Sequence, residues 1–221
     1  MKKILPLILI ASFSLKCFAQ TAPPSSKQQF HLGLKAAPSL AWLTSNTKDL
    51  NSDGLKFGFS YGLITEFNFA DHYAFATGLD ITYRGGKFKQ DRDTSVVSNT
   101  LNLEYVEIPL TLKFKTNEIG YFTYFLQFGV APGFNIRARG DSTISFKNSA
   151  YSGTSASGSD IKDSINLFNL SMIISGGLEY SLSGSTVLLA AITFNNGFVD
   201  VLAGDKKANS DYLALTIGVL F

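Results

Sequence analysis

Lys35, Glu66, Asp80, Arg84, Glu107, Lys113 and Glu179 each interrupt a stretch of alternating apolar residues, and they are the residues best placed to do chemistry. Glu66, Asp80 and Glu107 would make a general acid and base if folding brought them together without cations. With lysine or arginine beside them, the same carboxylates become ion pairs. Two histidines, His31 and His72, complete the candidates for proton transfer. "DLNSDG" offers Asp49, Asn51, Asp53 and Gly54 at the spacing of a calcium loop, but the twelfth position is Ser60, where a bidentate glutamate is required. A polar loop is the expected reading. No metal-ligand set, phosphate loop or catalytic constellation stands out, so catalytic residues, metals and cofactors are expected to be none.

The elements that must position these charges are strands. Nineteen Phe, nine Tyr and nineteen Gly with only two Met point to β structure. "LNLEYVEIPLTLKF" is typical: Val106, Ile108, Leu110, Leu112 and Phe114 share one face, while Tyr105, Glu107, Pro109, Thr111 and Lys113 share the other. Eight such segments are expected, at about 30–43, 55–69, 72–86, 100–116, 120–137, 165–181, 185–198 and 210–221. Val187 to Ile192 is the exception, because it does not choose a face.

Short and long connections alternate strictly. Ala70-Asp71, Asn117 to Ile119 and Leu182 to Gly184 are the short ones. The long, polar ones begin at Thr44, Lys87, Ala138 and Val199, and the third contains the low-complexity "AYSGTSASGSD". The expected fold is therefore all-β: an eight-stranded antiparallel transmembrane barrel, with tight turns at the periplasmic end and long loops outside. On that topology both histidines fall at the periplasmic ends of their strands. Phe30 and Trp42 lie twelve residues apart on one face, which spans about 30 Å at the tilt of barrel strands. With Phe122 and Tyr124 they are the expected aromatic girdle. The seven charges face inward, Lys35 toward Glu66 and Glu107 toward Arg84 or Lys113. Pro109, which donates no ladder bond, is expected to mark a bulge.

The N-terminus fits export. Lys2 and Lys3 precede an apolar run from Ile4 to Leu15, and Cys17-Phe18-Ala19 presents small residues for cleavage before Gln20. Lys16 stands where lipidation of Cys17 would need a small residue. The expected organisation is a signal peptide over 1–19, a periplasmic segment over 20–29 and the barrel over 30–221. Cys17 is the only cysteine, so disulfides and thiol chemistry are excluded from the mature chain. Losing Lys2, Lys3 and Lys16 takes the basic residues from 19 to 16, against 17 acidic ones. That balance argues against nucleic acid as partner. The expected partners are outer-membrane lipid, the barrel-assembly machinery and envelope or secretion proteins. Leu213, Leu215, Ile217, Val219 and Phe221 supply the alternating C-terminal pattern that such machinery reads.

Three stretches carry a resemblance: "YAFATGLDITYRGGKF", "LNLEYVEIPLTLKF" and "YFLQFGVAPGFNI". Together with the terminal Phe221, the sequence resembles the PorT-like outer-membrane β-barrel family of Bacteroidota. The resemblance implies the barrel fold and the outer-membrane location, and it allows an accessory role in surface-protein export. Two functional readings stand beside each other. One is a non-enzymatic barrel with a filled, charged lumen and a structural or interaction role. The other is a narrow porin-like channel whose selectivity Lys35, Glu107 and Lys113 would set.

Overall fold

A computed structural model describes residues 30–45, 51–91, 95–146, 154–182, 185–203 and 208–221. The expected signal peptide, the 20–29 segment and Asp49 lie outside these residues. Eight strands build the fold: β1 (Phe30–Ser45), β2 (Lys56–Ala70), β3 (Tyr73–Asp91), β4 (Ser95–Glu107, resuming as Leu110–Lys115), β5 (Phe122–Phe146), β6 (Phe168–Ser181), β7 (Val187–Gly197) and β8 (Ala208–Leu220). Each pairs antiparallel with its sequence neighbours, and β8 pairs with β1. The sheet is a closed ring. Backbone bonds between Leu32 and Phe221, 2.8 and 3.0 Å long, finish the seam.

Closure explains the inverted distribution of side chains. Phe75, Leu112, Leu126, Phe128 and Leu215 are exposed on the outer face, while Glu66, Arg84, Glu107 and Lys113 are buried inside. Only a solvent of hydrocarbon makes that arrangement favourable. The undecided segment, β7, is resolved by the same geometry. Leu188, Ile192 and Phe194 point outward, while Leu189 and Ala191 pack inward against Ile64, Phe125 and Leu220. Both faces are apolar there because the lumen carries an apolar cluster at that level.

Two local expectations are corrected. Pro109 makes no bulge: Glu107 opposes Gly133 and Leu110 opposes Val130, so the register passes the proline unchanged. The ladder is only interrupted, and Ile108 N–H still donates to Pro132 O at 2.9 Å. The bulge of this strand pair lies higher, where Tyr105 opposes Asn135 but Glu104 opposes Arg137. The expected loops from Lys87 and Ala138 are also largely strand. β3 and β4 pair out to Asp91 and Val96, and β5 runs to Phe146 beside a short strand, Thr154–Asp160. Once two strands leave the wall in register, each further residue adds ladder bonds, so Ser- and Thr-rich sequence continues the hairpin.

Placing a charge on the outer face at mid-height tests the inversion. Val130→Arg, near the middle of the outward run of β5 from Phe122 to Ile136, should destabilise the barrel by about 2–4 kcal/mol in urea unfolding from phosphatidylcholine vesicles. An unchanged midpoint would mean that this face does not meet lipid.

Candidate functional site: the charged lumen

Four cations and four carboxylates meet inside the ring. Toward the short-turn end, Lys113 from β4 bonds Glu66 from β2 at 2.7 Å and also Glu179 from β6. Lys115 touches Glu66 and lies 3.2 Å from Glu179. The Lys113 ammonium sits 4.1 Å from the centre of the Phe125 ring, adding a cation–π contact. Each carboxylate therefore sees two lysines, and the quartet is neutral.

The next level up holds Lys35 and Asp80, 2.7 Å apart. Lys35 lies in register with Gly62, and Gly62 with Asp80, so the lysine reaches across β2 to the strand beyond. It pairs with Asp80, not Glu66, because the register sets Glu66 opposite His31, four residues further along β2 from Gly62. Gly62 makes the crossing feasible: a Cβ there would lie 2.4 Å from Asp80 Oδ1. Around this level Gln127 donates to Thr111 Oγ1 at 2.6 Å, Thr111 to Ala76 O at 2.8 Å, and Ser175 to Thr193 Oγ1 at 2.8 Å. A cavity of about 70 Å³ remains, lined by Lys35, Asp80, Thr111, Gln127, Ser175 and Thr216 among others. That is room for a few waters and no more.

Above it, Arg84 stands 3.1 Å from Glu107 with both side chains almost wholly buried. The Arg84 N–H groups do not point along that line, so the contact is an ion pair rather than a hydrogen bond. Thr82 donates to the other Glu107 oxygen at 3.0 Å. The guanidinium carbon lies 4.3 Å from the Tyr105 ring centre and 5.8 Å from that of Tyr212. Gly133 faces Glu107, and a Cβ on it would crowd Glu107 Cγ at 3.1 Å. Glu107 pairs with Arg84 and does not reach Lys113's group.

An apolar lid closes the long-loop end. Leu43, Leu101, Leu103, Tyr105 and Ala138 from the wall pack with Ile165 and Val201 from the third and fourth external connections. Those two connections are stitched together: Asn166 N–H donates to Val201 O at 2.9 Å, Asn166 Nδ2 to Asp200 O at 2.8 Å, and Ala203 N–H to Ser164 O at 2.9 Å.

The other expected residues fall elsewhere. Phe30, Phe122 and Tyr124 are exposed at the short-turn end, and Trp42 stacks on Phe194 toward the other end, ring centres 6.4 Å apart. Leu213, Leu215, Ile217 and Phe221 are exposed on the outer face and Val219 is half-buried there. His31 contacts Asn68 at 3.2 Å and His72 contacts Asn117 at 2.9 Å, both beside the short turns and away from the Arg84 and Lys35 pairs. Asp53 pairs with Lys89 at 2.7 Å. Lys115 and Tyr212 were not among the expected lumen residues, although counting by twos from Lys113 reaches the first and Tyr212 lies on the face opposite Leu213. Asp211 carried no such signal; it is buried at the external rim, accepting bonds from Thr44, Asn196 and the Gly197 N–H at 2.7 to 3.0 Å. Among the described residues no group of three potential metal ligands occurs.

A closed antiparallel ring of eight strands with an apolar outside and a paired, charged inside defines a small outer-membrane β-barrel protein. The chain belongs to the family described as "Outer membrane protein beta-barrel domain", whose model matches residues 18–203. Similar solved structures include neisserial surface protein A, at 14% identity over 88% of this chain and 98% of that one, with a TM-score of 0.47. OprG of Pseudomonas aeruginosa follows at 11% identity, 88% and 97% coverage and a TM-score of 0.46. Ail of Yersinia pestis gives 12%, 88% and 100%, and 0.44. No curated protein matches the sequence.

The Lys35–Asp80 crossing can be disturbed without touching the wall. Lys35→Met leaves Asp80 buried without its cation and should cost about 1–3 kcal/mol in urea unfolding. Gly176→Ala, where the nearest atom to a new Cβ is Leu126 Cδ1 at 4.0 Å, should change stability by less than about 0.5 kcal/mol. Equal effects would remove the crossing pair from the account.

Proposed function

We propose that this protein is a non-enzymatic, non-conducting barrel that works through its external surface, in a structural or interaction role. One observation carries the reading: three levels of paired side chains cross the lumen with only a cavity of about 70 Å³ between them, and Leu43, Leu101, Leu103, Ile165 and Val201 cap its long-loop end. Opening it would strand buried charges, which is costly. Ions and solutes therefore have no path, and the parts free to act are the hairpin of β3 and β4 and the strand Thr154–Asp160. The PorT-like resemblance supports an accessory part in surface-protein export, with envelope or secretion proteins as partners at those hairpins. The signal peptide over 1–19 and the alternating residues from Leu213 to Phe221 support delivery to, and insertion by, the barrel-assembly machinery. A non-enzymatic role is supported by the neutral lumen, where each carboxylate is already paired with a cation.

The channel reading rests on the small polar cavity at Lys35 and Asp80 and needs the lid to open. Planar-bilayer recording on refolded residues 20–221 separates the two. Inserted protein should give no repeatable unitary conductance. A stable conductance step that shifts its ion preference in Glu107→Gln would overturn the proposal in favour of the channel.

A further inference from the structure

The outer wall changes character abruptly toward its long-loop end. On β3 the outward residues Phe75, Leu79 and Tyr83 give way to Gly85 and Lys87. On β5, Phe128, Val130, Phe134 and Ile136 give way to Arg137 and Arg139. The bulge opposite Glu104 and Tyr105 makes this switch. Ile136 has no partner across the ladder, so Ile136 and Arg137 are both exposed in succession while Ala138 is buried. Without the extra residue, the alternation that turns Phe134 and Ile136 outward would carry Arg137 into the lumen. A bulge that re-aims two arginines at the border of an apolar band is a feature with a purpose.

A third cation reaches the same place from β2. Lys56 Nζ donates to Leu101 O at 2.6 Å and to Asn102 Oδ1, lying over Gly85, which has no side chain to block it. Lys56, Arg137 and Arg139, with Tyr83, Glu104 and Asp141, line an open cavity of about 440 Å³. The two carboxylates offset only two of these three charges: Glu104 lies 3.8 Å from Arg137, and Asp141, which accepts from Asn102 at 3.0 Å and from the Gly158 N–H at 2.7 Å, attracts the Lys56 ammonium. One positive charge is left over. Arg137 keeps 63% of its side chain exposed. The site is thus cationic, open to the outside of the wall, and set at the depth where the acyl region ends and headgroups begin.

We infer that this cavity binds the phosphate of a lipid in the surrounding outer leaflet, with Arg137 and Arg139 as the phosphate ligands and the acyl chains descending past Tyr83. Arginine suits the role because its fork pairs two oxygens of one phosphate. Lys56, held in place by Leu101 and Asn102, supplies the third positive charge at a fixed position.

The test is native mass spectrometry of the mature chain released from detergent micelles holding diphosphorylated lipid A or the same lipid stripped of its phosphates. The wild-type protein should retain the phosphorylated lipid selectively. Arg137→Gln combined with Arg139→Gln should lower that retention about tenfold or more, while heat-modifiable gel mobility reports a barrel still folded. Equal retention of the stripped lipid, or unchanged retention by the double variant, would overturn the inference.

Discussion

An eight-stranded barrel has an interior that its own side chains must fill, and the ion pairs of the lumen are how this chain meets that constraint. Everything else follows from the need to fill a narrow cylinder whose outside is hydrocarbon. The apolar residues that a soluble protein would bury are committed to the outer face. Apart from a small apolar cluster beside β7, the lumen is left with charged and hydroxyl groups, and these are tolerable in a space with so little water only when paired. Four cations matched to four carboxylates meet that demand.

The pairs are layered rather than pooled. The lysine–glutamate quartet, the Lys35–Asp80 crossing and the Arg84–Glu107 pair occupy successive levels, separated by hydroxyl and amide contacts through Thr111, Gln127, Ser175 and Thr193. Layering ties distant strands together: Lys113 on β4 joins β2 to β6, which are not neighbours in the wall. The apolar lid then seals the level at which the aromatic faces of Tyr105 and Tyr212 surround Arg84. Glycines at 62 and 133 are part of the same device, since they leave room for charged side chains to pass. The distinctive surfaces of a barrel so organised are its external hairpins and the basic rim around Arg137.

Much of this was legible in the sequence because alternation by twos is a property of single strands. Counting from Leu110 puts Glu107, Thr111 and Lys113 on the face opposite Leu112, and the structure has them there. Strict alternation of short and long connections identified the ring's two ends. What single strands cannot carry is which inward charge meets which. That depends on the stagger of the ring, so Lys35 pairs with Asp80 across Gly62 and not with Glu66. The bulge at Ile136 was hidden for a related reason: an extra residue in one strand is visible only against its partner. Proline at 109 drew attention to the wrong place. The hairpin beyond the wall was hidden by its composition, since Ser, Thr and Gly signal loops until a neighbouring strand supplies a ladder.

The claim that the lumen is a set of buried, mutually dependent charges is tested most directly by a double-mutant cycle on Arg84 and Glu107, read by urea unfolding in phosphatidylcholine vesicles. Arg84→Met and Glu107→Leu should each cost about 3–5 kcal/mol, because each leaves one buried charge alone. The double variant should cost far less than the sum, recovering most of the loss. Additive costs would contradict the account, since they would mean that the two residues do not depend on each other and that the pair is not what fills the barrel.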